Sequence, residues 1–217
     1  MDIYPLGLSS FRVKGKTGTV VLDPFDPKLV GLKFPKVEQV DVVTVSHEHP
    51  DHNAVAEVLS GGSEPFVIQG PGEYEIKEIG VIGIGSYHDN SQGSERGKNT
   101  IYKLTIDGMN ICHLGDLGHK LTDEQVDRIG EVDILMIPVG GKYTIDAERA
   151  SEVVAQIEPT LVIPMHYKRE GMGEAFEEVD GVDKFLKEMG AEGVEKLNKL
   201  TTSKDKLPEN TTVVVLE

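Results

Sequence analysis

The chain has 217 residues, enough for a hydrophobic core without disulfide staples, and its 38% hydrophobic and 27% charged residues are ordinary for a globular protein. Lys and Arg number 22 against 37 Asp and Glu, a formal charge of −15 with no basic stripe, which argues against nucleic acid as a partner. The single Cys112 cannot form an internal disulfide, the N-terminus lacks the features of a signal peptide, and no run approaches the ~20 apolar residues of a membrane span, so a soluble, cytoplasmic protein with no membrane partner is expected.

In chain order, "TGTVVLDPFDP" reads as a strand ending at Asp23, and "VDVVTVSH" as a strand ending at His47. A helix is expected from near Asn53 through "AVAEVLS", closed by Gly61-Gly62. "PFVIQG" is a strand, and "EYEIKEIGVIGIGSYHD" is two strands around a turn, ending at His88. "NTIYKLTI" and "MNICHLGD" flank Asp107-Gly108, a strong hairpin signal. The second half alternates. A helix in "TDEQVDRIGEV" with Thr122 at its N-cap precedes the buried strand "VDILMIPVGG". The amphipathic "DAERASEVVAQIEP", stopped by Pro159, precedes the buried strand "TLVIPMH". "VDKFLKEMG" is a helix with Gly190 beyond it, and "TTVVVLE" closes the chain as a strand. Early strands followed by strand–helix alternation predict a layered α/β architecture, with a mixed sheet or two packed sheets in one domain over residues 1–217.

One pattern recurs. A metal-capable residue follows an apolar strand at Asp23, His47, His88, Asp116 and His166. Active sites of layered α/β proteins lie at strand ends, so five segments would deliver ligands to one place if those ends share an edge. The stretch "HEHPDH" (47–52) carries three of the seven histidines. His47 and His49, at i and i+2 of an extended segment, point the same way and can clamp one ion. Beyond Pro50, Asp51 and His52 can serve a neighbouring ion. Imidazole and carboxylate are ligands that zinc accepts, and a carboxylate such as Asp116 can bridge a pair of ions about 3.5–4 Å apart. An ordinary surface role would need four separate coincidences in six positions.

These residues resemble the metallo-β-lactamase superfamily: His47-Glu-His49-Pro-Asp51-His52 fits H-x-H-x-D-H, and Asp23, His88, Asp116 in "HLGD" and His166 in "PMHY" follow in order. Within it, "CHLGDLGH" and "IPMHYK" look most like the small proteins related to ascorbate-6-phosphate lactonase. The resemblance covers nearly the whole chain. It implies a four-layered αββα sandwich with two metal ions in a cleft at one edge. His47, His49 and His88 would hold one ion, Asp51, His52 and His166 the other, with Asp116 bridging. Asp23 would orient a ligand histidine by hydrogen bond. The ions would be zinc, with manganese or iron as alternatives, since all three accept N/O ligands.

Other candidates surround this set. His113 competes with His88 for the first ion, or else packs behind the ligands. His119 is a candidate proton donor or substrate contact, or else simply opens the next helix. Arg96, Lys98, Asn99 and Tyr167 are candidate substrate contacts, each with an ordinary loop or packing role as the alternative. The glycines of "VGGKYT" (139–144) suit a close approach to the cleft or an ordinary turn.

The expected chemistry is hydrolysis of a small ester or lactone by a bridging hydroxide, with Asp51 accepting or relaying the proton; the two ions keep the centre positive, so an anionic substrate is favoured. A phosphodiester is the second substrate class. β-Lactams are disfavoured. The resemblance also raises a redox rival, because this fold can hold di-iron, but those relatives carry a glutamate where His49 stands and an added flavin domain. A metal-binding or ligand-sensing protein without turnover is the non-enzymatic rival. Association into a homo-oligomer is left open.

Overall fold

The computed structural model describes residues 1–217. Its strands are β1 (Asp2–Gly7), β2 (Ser10–Lys14), β3 (Thr19–Leu22), β4 (Val42–Val45), β5 (Phe66–Gln69), β6 (Gly72–Ile76), β7 (Ile79–Tyr87), β8 (Lys98–Ile106), β9 (Met109–His113), β10 (Ile134–Pro138) and β11 (Leu161–Met165). The helices are α1 (Pro27–Val30), α2 (Val55–Leu59), α3 (Asp123–Ile129), α4 (Ala147–Ile157) and α5 (Asp183–Glu188). Two-residue strands at Leu200–Thr201 and Thr212–Val213 complete two sheets.

The first sheet runs Leu200–Thr201, β1, β2, β3, β4, β5, and the second runs Thr212–Val213, β11, β10, β9, β8, β7, β6. Both are mixed. β3, β4 and β5 are parallel, as are β9, β10 and β11, whereas β1–β2–β3 and β6–β7–β8–β9 are antiparallel.

The period-2 alternation of a strand explains the layering. Val20, Leu22 and Val42 of the first sheet meet Tyr102, Leu104, Ile134, Met136, Ile163 and Met165 of the second in an inter-sheet core. The intervening residues point the other way. Val21 and Val43 join Val30 and Val58 of α1 and α2, while Leu135, Ile137 and Val162 join Ile129, Val153 and Phe185 of α3, α4 and α5. Strands covered on both faces are apolar throughout, as β10 and β11 are and as β3 is after Thr19. Each fully buried Val, Leu or Ile contributes about 1.5–3 kcal/mol. The result is the expected αββα sandwich.

Three local expectations change. The N-terminal segment, unassigned from its sequence, forms the β1–β2 hairpin, with Leu8 at a φ of 49° in its turn. The closing "TTVVVLE" splits at Val214: Thr212–Val213 extends the second sheet, whereas Val215–Leu216 pairs with Lys196–Leu197. The helix expected from near Asn53 is a short one, Val55–Leu59, and Asn53 lies before it with its side-chain amide on the Glu48 carbonyl at 2.8 Å. The Thr122 cap holds, reinforced by a reciprocal bond with Gln125.

β3 and β4 are parallel, and β7, β9, β10 and β11 share one direction in their sheet. The C-terminal ends of these strands therefore collect along one edge of the sandwich. Asp23, His47, His88, Asp116 and His166 all lie just beyond those ends.

Candidate metal centre

The loop after β4 is fixed by a buried carboxylate. Asp23, with a φ of 43°, accepts the Ser46 backbone N–H (2.8 Å), the Ser46 hydroxyl (2.5 Å) and His52 Nδ1–H (2.8 Å). The one hydroxyl proton of Ser46 is committed to Asp23, so its oxygen accepts His47 Nδ1–H at 2.9 Å. Both histidines are thereby held with Nδ1 protonated and Nε2 turned toward the neighbouring donors.

Two groups of donors face each other. The nitrogens of His47, His49 and His88 lie within 4.8 Å of one another, as do the donor atoms of Asp51, His52, Asp116 and His166. Asp116 lies between them. Its Oδ2 is 3.8 Å from His47 Nε2, 3.2 Å from His88 Nε2 and 3.3 Å from His166 Nε2, while Oδ1 is 3.1 Å from His52 Nε2. All seven residues that the resemblance nominated are brought together.

The loop backbones are shaped for this. Gly115 has a φ of 55°, and a Cβ there would lie 2.3 Å from Asn99 Oδ1. Gly118 packs against the His88–Asp89 backbone, where a Cβ would lie 2.3 Å from the Asp89 nitrogen. His166 itself has a φ of 52°, uncommon for a non-glycine residue, and its N–H reaches the Leu8 carbonyl at 3.3 Å.

The electrostatics fit a cation. Burial pushes His47 down to about 3, assisted by His52, and burial also lowers His49. Both are neutral and ready to ligate. For His52 and His166 burial also favours the neutral form, but Asp116 and other neighbouring contacts outweigh it, raising His52 well above its ordinary value and His166 to about 9. Burial acts against ionisation of Asp116 and Asp51, yet the adjacent histidines hold Asp116 well below the usual range and Asp51 at about 2. Metal-free, this centre keeps its carboxylates charged and parks protons on two imidazoles.

The residues fit metal ions. Ten buried side-chain polar atoms have no hydrogen-bond partner, and six are here: Nε2 of His47 and His52, Nδ1 of His88, Oδ1 of Asp116 and both ring nitrogens of His166. Native interiors rarely leave such atoms unpaired, and a cation taking one nitrogen per imidazole and a carboxylate oxygen suits Nε2 of His47, His52 and His166 and Oδ1 of Asp116.

The remaining candidates separate. His113 does not join the donors. Its Nε2–H donates to the Ser9 carbonyl (2.8 Å) and its Nδ1 accepts the Gly115 N–H (3.1 Å), so it braces the loop leading to Asp116. Asn99 also lines the cleft, but its side chain is taken up by structural bonds: its amide donates to Ser86 Oγ and the Leu114 carbonyl, and its Oδ1 accepts the Asp116 N–H at 3.0 Å. Tyr167 is only 4% exposed, with its ring in the core beneath the helices and its hydroxyl on the Leu216 carbonyl. Burial pushes that phenol up to about 12. His119 is not poised for proton transfer, since Nδ1–H donates to the Lys120 carbonyl and Nε2 accepts the Tyr87 N–H. Arg96 and Lys98 do line the cleft beside His47 and His49.

Sequence reasoning missed Ser46, whose hydroxyl relay needs the fold to bring Asp23 beside it, and Asp89, which anchors the following loop. Asp89 had a usable signal, an Asp opening a loop rich in Ser and Gly.

The comparisons agree with this geometry. A family model for the beta-lactamase superfamily domain matches residues 2–166. A UPF0173 metal-dependent hydrolase of Thermoplasma acidophilum is 30% identical over 182 residues, spanning 74% of this chain and 80% of that protein. A Thermotoga maritima protein named as a zinc-dependent hydrolase of the metallo-beta-lactamase superfamily superposes at a TM-score of 0.79 with 36% identity, over 99% of this chain and 97% of that one. The diiron β-hydroxylase CmlA of Streptomyces venezuelae shares the fold at a TM-score of 0.64 and 13% identity, with 93% of this chain covering 54% of it. The match across residues 2–166 and the whole-chain superposition make this chain a member of the metallo-β-lactamase superfamily, among its metal-dependent hydrolases.

Proposed function

We propose that the chain hydrolyses a small, negatively charged ester or lactone with two divalent ions, zinc first, held by His47, His49 and His88 on one side and Asp51, His52 and His166 on the other. Asp116 carries this reading: one buried carboxylate lies within 3.8 Å of four imidazole nitrogens drawn from both groups. Such a carboxylate suits a bridge between two cations that would otherwise repel.

Ions held by these residues would supply Lewis acidity and a water of lowered pKa. The chain's own part is positioning and proton handling. Asp23 and Ser46 hold His52 and His47 with Nε2 forward. Asp51 has 15% of its side chain exposed against 1% for Asp116, so it is the acid that can pass a proton to solvent. The reacting bond lies against Asp51 and Asp116, and the substrate body extends into the cleft beside His47 and His49.

A phosphodiester is the second reading, favoured by the two cations, Arg96 and Lys98, on the cleft wall. A panel of lactones, thioesters and phosphodiesters with zinc-loaded protein separates the classes. Two zinc per chain and turnover of a lactone or ester are expected, with Asp116→Ala losing at least about 100-fold in kcat/KM together with metal. Near-normal turnover and metal content in Asp116→Ala would overturn the two-metal reading. Bound metal without turnover of any class would leave a metal-binding or sensing protein.

A further inference from the structure

A cavity of about 690 Å³ opens beside His47 and His49, between the ends of β4, β5, β7 and β8. That is room for a small molecule, with polar groups set into a wall that is largely carbon surface. Two cations and one acid, Glu48, line it. Some of the chain's lysines are held in ion pairs and others are not. Lys77, Lys142, Lys184, Lys196 and Lys204 each reach a carboxylate. Lys98 and Arg96 reach none. Arg96 touches only the Lys142 carbonyl at 3.4 Å and the face of Tyr143 at 5.8 Å. An unpaired guanidinium beside an unpaired ammonium in one cleft is an anion-binding arrangement.

The loop that carries Arg96 is tied down from within. Asp89, 4% exposed, accepts four backbone N–H groups: Ser91, Gly93 and Arg96 at 2.8 Å and Glu95 at 3.0 Å. The His88 N–H closes the loop on the Gly97 carbonyl at 3.1 Å. Asp89 therefore ties the Arg96 backbone to the residue that directly follows His88. A loop of this length fixed at four amides loses little further entropy when a ligand binds.

We infer that residues 89–98 form an anion-recognition subsite in which Arg96 and Lys98 bind a carboxylate or phosphate group of the substrate away from the bond cleaved, with Asp89 as the positioning residue. The subsite deepens the hydrolytic reading and rests on it only for its role in turnover, because anion binding is read without any reaction.

Calorimetric titration of the zinc-loaded protein with phenylphosphonate and, separately, phenylacetate tests it. An Arg96→Gln/Lys98→Gln double variant is expected to keep its zinc and to weaken binding by at least about tenfold, as loss of charge-assisted bonds requires. Weakening for both probes assigns a general anion site, and weakening for phenylphosphonate alone assigns phosphate. Binding within about twofold of the parent for both probes, or none by the parent at millimolar concentrations, overturns the subsite. For Asp89→Asn, amide exchange at Ser91, Gly93, Glu95 and Arg96 is expected to accelerate with zinc retained and phenylphosphonate binding weakened. Accelerated exchange with unchanged binding removes Asp89 from the proposal. Asp116→Ala reads the hydrolytic assignment independently of these outcomes.

Discussion

At the scale of single residues, the centre depends on who holds each proton. Ser46 has one hydroxyl proton and gives it to Asp23, which makes His47 Nδ1–H the donor to Ser46 and leaves Nε2 as the nitrogen available to a metal. Ser46→Ala leaves that tautomer unspecified, so zinc affinity is expected to fall about 10–100-fold in competition with a chelating dye. His166 gives a pH prediction. Its metal-free pKa is raised to about 9 from an ordinary 6.5. A raised pKa contributes stability that is full below the unfolded value and is lost as pH rises through about 9. The same proton must leave before a metal can bind, so metal affinity changes in the opposite sense. The gap in Tm between zinc-loaded and stripped protein is therefore expected to widen from pH 6.5 to 9 in thermal scans. A gap that narrows over that window would count against protons on the ligand imidazoles.

At the scale of elements, the strand ends were readable and the contacts between loops were not. β10, β11 and β3 after Thr19 are apolar runs because each strand is covered on both faces, and such runs stand out in a sequence. The residues immediately after them inherit a place on the edge, which is why Asp23 and His166 were found. A residue's partners across the gap carry no such signal. Asn99 lies in β8 and reads as a loop polar group, yet its amide spans Ser86, Leu114 and Asp116. Tyr167 follows His166 directly but faces the opposite way, into the core under α4 and α5. Gly118 is the corresponding test. With no positive φ to satisfy, its requirement is purely steric contact with the His88–Asp89 backbone. Gly118→Ala is expected to cost about 1–3 kcal/mol by overpacking, read from urea denaturation, and to lower zinc stoichiometry by displacing His88.

At the scale of the whole molecule, two sheets and two helical layers bring candidate donors from four separate loops, and Asp23 from a fifth, to one edge, so ion binding and the fold are expected to stabilise each other. An ion that binds only the folded form shifts stability by mass action. Chelation is expected to lower Tm, and added zinc to restore it in proportion to the logarithm of its concentration. The −15 charge disfavours polyanions in bulk, while Arg96, Lys98 and the metal centre make one cleft locally attractive to a small anion. The sequence by itself determined the layered α/β class and the family, and it nominated the seven residues that the fold gathers at one edge, because "HEHPDH" is local and the others sit at the ends of apolar runs. Only the tertiary structure decided that Asp116 stands between the two groups, that Ser46 and Asp89 hold the loops, and that His119, Asn99 and Tyr167 are turned to structural bonds. Those assignments depend on which atoms distant segments bring within hydrogen-bond reach, a property of packing that spacing along one chain does not encode.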